Sequence, residues 1–205
     1  RVSAPQPDGG ATRRLALVIG NGAYRAITSL RNPTNDARDM CDTLRRRGFQ
    51  AQCHENLASR DDFRRVLRQF TAQLGRGSVA LLYYAGHGVQ RGGRNFLLPT
   101  AIAPGSADDV ERDSLAMDEV YTSLRESLPD LSIVILDACR DDPFAGQSGA
   151  RFARGLAREE PPRGSVSAMA HSASPRTMRS SHGCTTPGCP CSDRIWLFSD
   201  ASRLM

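Results

Sequence analysis

Short apolar runs alternate along this chain with longer stretches of helical period, and few folds accommodate that alternation. Leu15–Ile19, Val79–Ala85 and Leu131–Leu136 have the length and residue types of buried strands. Each ends in small or polar residues: Gly20-Asn21-Gly22, Gly86-His87-Gly88 and Asp137-Ala138-Cys139. Between them, Asn32 or Thr34 caps a predicted helix running to about Arg47, with Ala37, Met40, Cys41 and Leu44 on one face. Gly48 stops that helix, and Phe49–Cys53 reads as a weaker strand. Ser59 opens a second helix, in which Phe63, Val66, Leu67, Phe70 and Leu74 recur at helical spacing. Phe96–Leu98 is a short extended piece ended by Pro99, and Leu115–Leu124 is predicted helical with Ser114 as its cap. Strands separated by helices predict an α/β fold of three layers, a mostly parallel sheet covered on both faces.

The pattern bounds the domain. Residues 1–12 are Pro-, Gly- and Ala-rich without period and read as a disordered leader, in a chain whose first residue is Arg rather than Met, as in a processed or fragmentary protein. Residues 13–145 are expected to make the main folded domain, and 146–164, rich in Gly, Arg, Glu and Pro, read as a linker. Residues 165–205 are an atypical, poorly ordered tail, with strand character only at Ser165–Ala170 and Ile195–Phe198. The tail reads as a truncated or frame-shifted end or as a linker to a further domain, so the carboxy-terminal part of the fold is expected to be incomplete.

Composition excludes some functions. No run approaches the ~20 apolar residues of a membrane helix. The net charge is +5 and every basic residue is Arg, but the arginines are scattered and few aromatics interleave with them, so nucleic acid is not expected as a partner. Localisation stays open between the cytoplasm and, after loss of a signal segment, the periplasm. Of six cysteines, Cys41 and Cys53 are expected to pack as small buried hydrophobes. Cys184, Cys189 and Cys191 with His182 lack the paired spacing of a zinc site. Asp108, Asp109 and Glu111 form a loose loop cluster, short of the six to eight oxygens calcium needs. No metal or other cofactor is therefore expected.

In parallel sheets, chemistry gathers at the carboxyl ends of strands. His87 and Cys139 each follow an apolar strand, and the two strands are consecutive main strands. A thiol attacks as thiolate and needs a nearby base, which imidazole provides near neutral pH. The backbone amides of Gly88 and Cys139 are candidate donors to an oxyanion. A strand-ending histidine and a core thiol would be the blander explanation of each residue alone. Their matching positions favour a site.

Tyr83-Tyr84-Ala85-Gly86-His87-Gly88-Val89-Gln90 and Leu136-Asp137-Ala138-Cys139-Arg140-Asp141 resemble the two signatures of caspase-like peptidases, and among them the bacterial relatives of metacaspases. Leu15–Asn21, Asn32–Ala37 and Asn95–Pro99 are similar to the same family, and the resemblance runs from about Arg14 to Phe144. The His–Cys spacing is also close to the ~50 residues usual in caspases. The resemblance implies a caspase-hemoglobinase-like fold, His87 as base and Cys139 as nucleophile. It also implies that Asp36 and Asp137 line the primary specificity pocket, where two carboxylates suit an Arg or Lys side chain. The expected function is thus a cysteine-type endopeptidase cutting peptide or protein substrates after Arg or Lys through an acyl-enzyme. The alternative is a catalytically silent caspase-like interaction module; the intact dyad speaks against it and the tail for it. An Arg-specific enzyme would also cut its own linker after Arg154 or Arg158, with Arg151 and Arg163 as further candidates, whereas Arg140 beside the nucleophile would be protected.

Overall fold

The computed structural model describes residues 12–103, 106–138, 144, 156 and 165–170. Five strands form one sheet. They are β1 (Arg13–Gly20), β2 (Gln50–Glu55), β3 (Ser78–Gly86), β7 (Leu131–Ala138) and β8 (Ser165–Ala170), in the order β2-β1-β3-β7-β8. Every neighbouring pair is parallel. The expected strand at 165–170 is therefore part of the sheet. The other tail and linker expectations, Ile195–Phe198 included, lie outside the described residues.

Side chains alternate across a strand, so each strand feeds two cores. Leu15, Leu17 and Ile19 of β1, Ala80, Leu82 and Tyr84 of β3, and Val134 and Leu136 of β7 face one side. There they meet Phe63, Val66, Leu67 and Phe70 of helix α2 (Arg60–Thr71) and Met117, Val120, Tyr121 and Leu124 of helix α4 (Met117–Glu126). Ala16, Val18, Leu81, Tyr83, Ala85 and Ile135 face the other side, against Ala37, Met40, Cys41 and Leu44 of helix α1 (Pro33–Arg46). Each fully buried aliphatic or aromatic side chain stabilises the fold by roughly 1.5–3 kcal/mol. Ser59 caps α2 with a reciprocal box: its hydroxyl accepts the Asp62 N–H, and the Asp62 carboxylate accepts the Ser59 N–H. Glu119 of α4 receives Arg60 and Arg64 of α2. Burial pushes its carboxyl up, but the two guanidinium bonds outweigh that and hold it below the ordinary value.

A second, antiparallel sheet was not anticipated. Strands β4 (Gly88–Arg91) and β5 (Arg94–Leu97) form a hairpin, and β6 (Leu115–Ala116) pairs with β5. This corrects the expected start of the helix after Ser114. Leu115 and Ala116 lie opposite Leu97 and Phe96 as strand, and α4 begins at Met117. Pairing with β5 buries both residues and overrides their helical spacing. Ser114 instead follows helix α3 (Ala107–Asp113) as its C-cap. Asp108, Asp109 and Glu111 are thus helical rather than in a loop, engaged by Arg91 and Arg112. Among the described residues no group of three or more His, Cys, Asp or Glu side chains could hold a metal, and no helix is long and apolar enough to cross a membrane.

A second correction concerns the cysteines. Cys41 and Cys53 are not separate buried thiols. They form a disulfide joining α1 to β2, with Cα atoms 6.3 Å apart. Only Cys41 is buried; Cys53 lies on the edge strand and is exposed.

Candidate active site

Strands β3 and β7 end in register. Ala85 lies opposite Asp137, and Gly86 opposite Ala138. Neighbouring strands run ~4.8 Å apart. His87 is the next residue after Gly86, and Cys139 the next after Ala138 in the chain; Cys139 itself lies outside the described residues. The two motifs also meet across the strands, because a Cβ built on Gly88 would fall 3.4 Å from the Ala138 Cβ.

His87 is only 2% exposed and is gripped by the segment that follows β1. Its Nε2 lies 2.7 Å from the Thr28 carbonyl oxygen. A carbonyl only accepts, so Nε2 carries the proton of the neutral ring and Nδ1 carries the basic lone pair. The His87 main chain is held from both sides. Its N–H donates to the Tyr24 hydroxyl at 2.8 Å, and its carbonyl accepts the Tyr84 hydroxyl at 2.7 Å. The Tyr24 ring lies 4.6 Å from the imidazole, tilted 54°. Gly86 makes this possible: φ is 156°, and a Cβ there would approach the two tyrosine hydroxyls to 2.6 and 2.9 Å. The gripping segment is itself fixed. Buried Asn21 accepts the Leu57 N–H and donates to the Leu98 carbonyl, while Asn56 accepts the N–H groups of Gly22 and Ala23.

The carboxylates expected beside the dyad converge. Asp137 takes its place on β7 on the same face as Ile135, Tyr83 and Ala85, the face that α1 covers. Asp36 sits in the first turn of α1, next to buried Ala37. Both are half-buried. Burial, then the negative charges of Asp137 and Asp39, hold the Asp36 carboxyl above the ordinary carboxylate range. The Tyr83 hydroxyl lies 3.4 Å from an Asp137 oxygen, and burial with the Asp137 and Asp36 charges raises its pKa strongly. Such mutual repulsion is relieved when a cation arrives between the carboxylates.

Sequence reasoning missed Tyr24 and Thr28. Tyr24 is a lone aromatic in a loop, and Thr28 contributes a carbonyl that any residue could supply, so neither left a signal. Tyr83 and Tyr84 stand inside the histidine motif, but nothing in their spacing tells which one faces the carboxylates. The linker arginines 151, 154, 158 and 163 lie outside the described residues. Leu156 among them is described. Its side chain reaches Gly88, where an added Cβ would come within 2.8 Å of it.

Comparison with known proteins agrees with this geometry. Residues 13–194 match the caspase-domain model of peptidase family C14, which carries the likeness past Phe144. The human mucosa-associated lymphoid tissue lymphoma translocation protein 1 is 30% identical over 130 residues, and its mouse homolog 29% over the same length. Those matches cover 63% of this chain but only 15% of the relatives. Protein GSU0716 from Geobacter sulfurreducens has a similar fold, with TM-score 0.50 and 21% identity over 62% of this chain and 50% of its own. A parallel sheet flanked by helices, with the histidine and cysteine motifs entering at registered strand ends, and a family match over residues 13–194 place this chain in the caspase-domain family of peptidases.

Proposed function

We propose that the chain is a cysteine endopeptidase cutting after Arg, and less readily after Lys, with His87 and Cys139 as its reacting pair. The register of Gly86 with Ala138 carries this reading, because it brings the two motifs to adjacent strand ends. The Nδ1 lone pair of His87 takes the Cys139 thiol proton. The thiolate attacks the scissile carbonyl carbon, and the amide N–H groups of Gly88 and Cys139 receive the oxyanion. As the C–N bond breaks, the imidazolium returns the proton to the leaving amine and a thioester remains. His87 then deprotonates a water that attacks the thioester, which releases the acid and restores the thiol. Asp36 and Asp137 receive the substrate guanidinium, whose planar donors match paired carboxylates.

Labelling with a thiol-reactive peptide ketone ending in Arg, read by mass spectrometry, tests the pair. Wild type should be alkylated at Cys139, and Cys139→Ala and His87→Ala should each lose nearly all turnover, since members of one catalytic unit are non-additive. A folded wild type that is neither labelled nor active would make the chain a silent interaction module. A peptide-library profile dominated by Asp before the cut would overturn the pocket assignment.

A further inference from the structure

We propose that Tyr24 is a positioning residue for His87, its hydroxyl acting as a wedge that sets the imidazole; this rests on the reading of His87 as the base. The β4–β5 ladder extends one step past Gly88 and Leu97, because the Leu98 N–H donates to the His87 carbonyl at 3.1 Å. In an antiparallel pair of that kind, the residues exchange both bonds, so the His87 N–H would ordinarily donate to the Leu98 carbonyl. It donates to the Tyr24 hydroxyl instead, and that hydroxyl lies 3.3 Å from the Leu98 carbonyl oxygen. A phenol group is thus inserted into the ladder, accepting from one strand and donating to the other. The Tyr84 hydroxyl stands beside it, 3.2 Å away, and gives its own proton to the His87 carbonyl.

The insertion determines where the ring points. The Tyr24 ring lies against the imidazole, and the Nε2 acceptor, Thr28, is four residues further along the same segment. One stretch of chain therefore fixes the His87 main chain, the face of its ring and its tautomer. A merely structural tyrosine would satisfy a buried N–H and no more. Here Gly86 is kept free of a Cβ at the position the two hydroxyls fill. Without the wedge, the His87 N–H would close onto Leu98, turning the peptide and pulling Nε2 from Thr28.

Tyr24→Phe keeps the ring and removes the hydroxyl. Its first readout is independent of turnover: nitrogen NMR of His87 in a Cys139→Ala background, assigned with His87→Gln. The parent should show a single Nε2–H tautomer. With Phe at position 24, the tautomers should mix and the titration midpoint should move by half a unit or more. In the active protein, kcat on an Arg peptide should fall at least tenfold with KM within twofold, and the acid limb of the pH profile should move with the NMR midpoint. A folded variant with unchanged tautomer, midpoint and pH profile overturns the proposal, even if its melting temperature drops. An intact NMR effect with no turnover in wild type would instead retire the catalytic reading of His87. Should Tyr24→Phe fail to fold, protein made with 3-fluorotyrosine weakens the same acceptor at nearly constant size. An unmoved His87 midpoint there overturns the proposal equally.

Discussion

Two half-buried carboxylates close together cost the free protein stability, and that cost reports on the proposed pocket. Asp36 is raised above its ordinary value of 3.8, so between that value and the folded one the native state holds more protons than the unfolded chain. Stability therefore falls as pH rises through this window, and the loss is complete above it. Asp36→Asn should raise Tm at pH 7 by on the order of 1–2 °C, given the solvent screening at a half-exposed site, and change nothing at pH 3. The same variant, and Asp137→Asn more strongly, should lower kcat/KM for Arg peptides by roughly 10- to 100-fold, the worth of a charge-assisted bond. Melts at both pH values and a matched Arg/Asp peptide pair measure this; a variant destabilised at pH 7 with Arg cleavage intact would remove Asp36 from the pocket. His87 drew notice because it sits where an apolar strand ends, a position that hydrophobic period marks, whereas Asp36 and Asp137 came from the family resemblance. Tyr24 and Thr28 were not legible, because a loop hydroxyl and a main-chain carbonyl obey no period.

Helix α1 presents Asp36, and its placement rests on packing and on one covalent tie. Ala37, Met40, Cys41 and Leu44 seat it on the sheet, while the Cys41–Cys53 bond fastens its middle to the edge strand β2. The bridge closes a loop of 12 residues, for which chain entropy gives about 3 kcal/mol. Cys53→Ser should therefore lower Tm by several degrees in non-reducing buffer and leave it unchanged in strong reductant, relative to wild type under the same conditions. Equal melting without reductant would mean that the bond contributes nothing. On α2, Ser59→Ala should cost about 1 kcal/mol by removing the capping box. Helices α1, α2 and most of α4 and the main strands were readable from period, whereas α3 stood where a loop was expected. The bridge was not readable, because pairing depends on where β2 lies in space. The β4–β5 hairpin was missed although its signal was present: Gly92 and Gly93, with φ of 56° and 80°, form the two-residue turn that Gly-Gly between β-forming residues announces. Leu115 and Ala116 were misassigned because a two-residue strand is too short to show a period.

At the scale of the molecule, parallel pairing brings the end of β3, before His87, and the end of β7, before Cys139 in the chain, to one end of the sheet, so the topology inferred from strand–helix alternation also indicated where the proposed site would lie. What sequence left open is how the chain after Cys139 relates to that end. Leu156 supplies one fixed point: its side chain touches Gly88 and packs on the core that α2 and α4 share with the sheet. Arg154 and Arg158 each stand two residues from it. Leu156 stands beside the histidine motif, and a site proposed to recognise basic residues makes the arginines that flank it in sequence candidate tethered substrates, at high effective concentration. Purified wild type should accordingly accumulate a cut after Arg154 or Arg158, while Cys139→Ala stays whole. Because the substrate is tethered, the rate should not depend on protein concentration. Intact-mass spectra of both proteins over a dilution series decide the matter. Equal fragmentation of the two would point to a contaminating protease. Cutting that slows in proportion to dilution would mean that one molecule processes another. A wild type that cleaves added Arg peptides yet leaves its own chain whole would show that the Leu156 anchor holds these arginines out of the cleft.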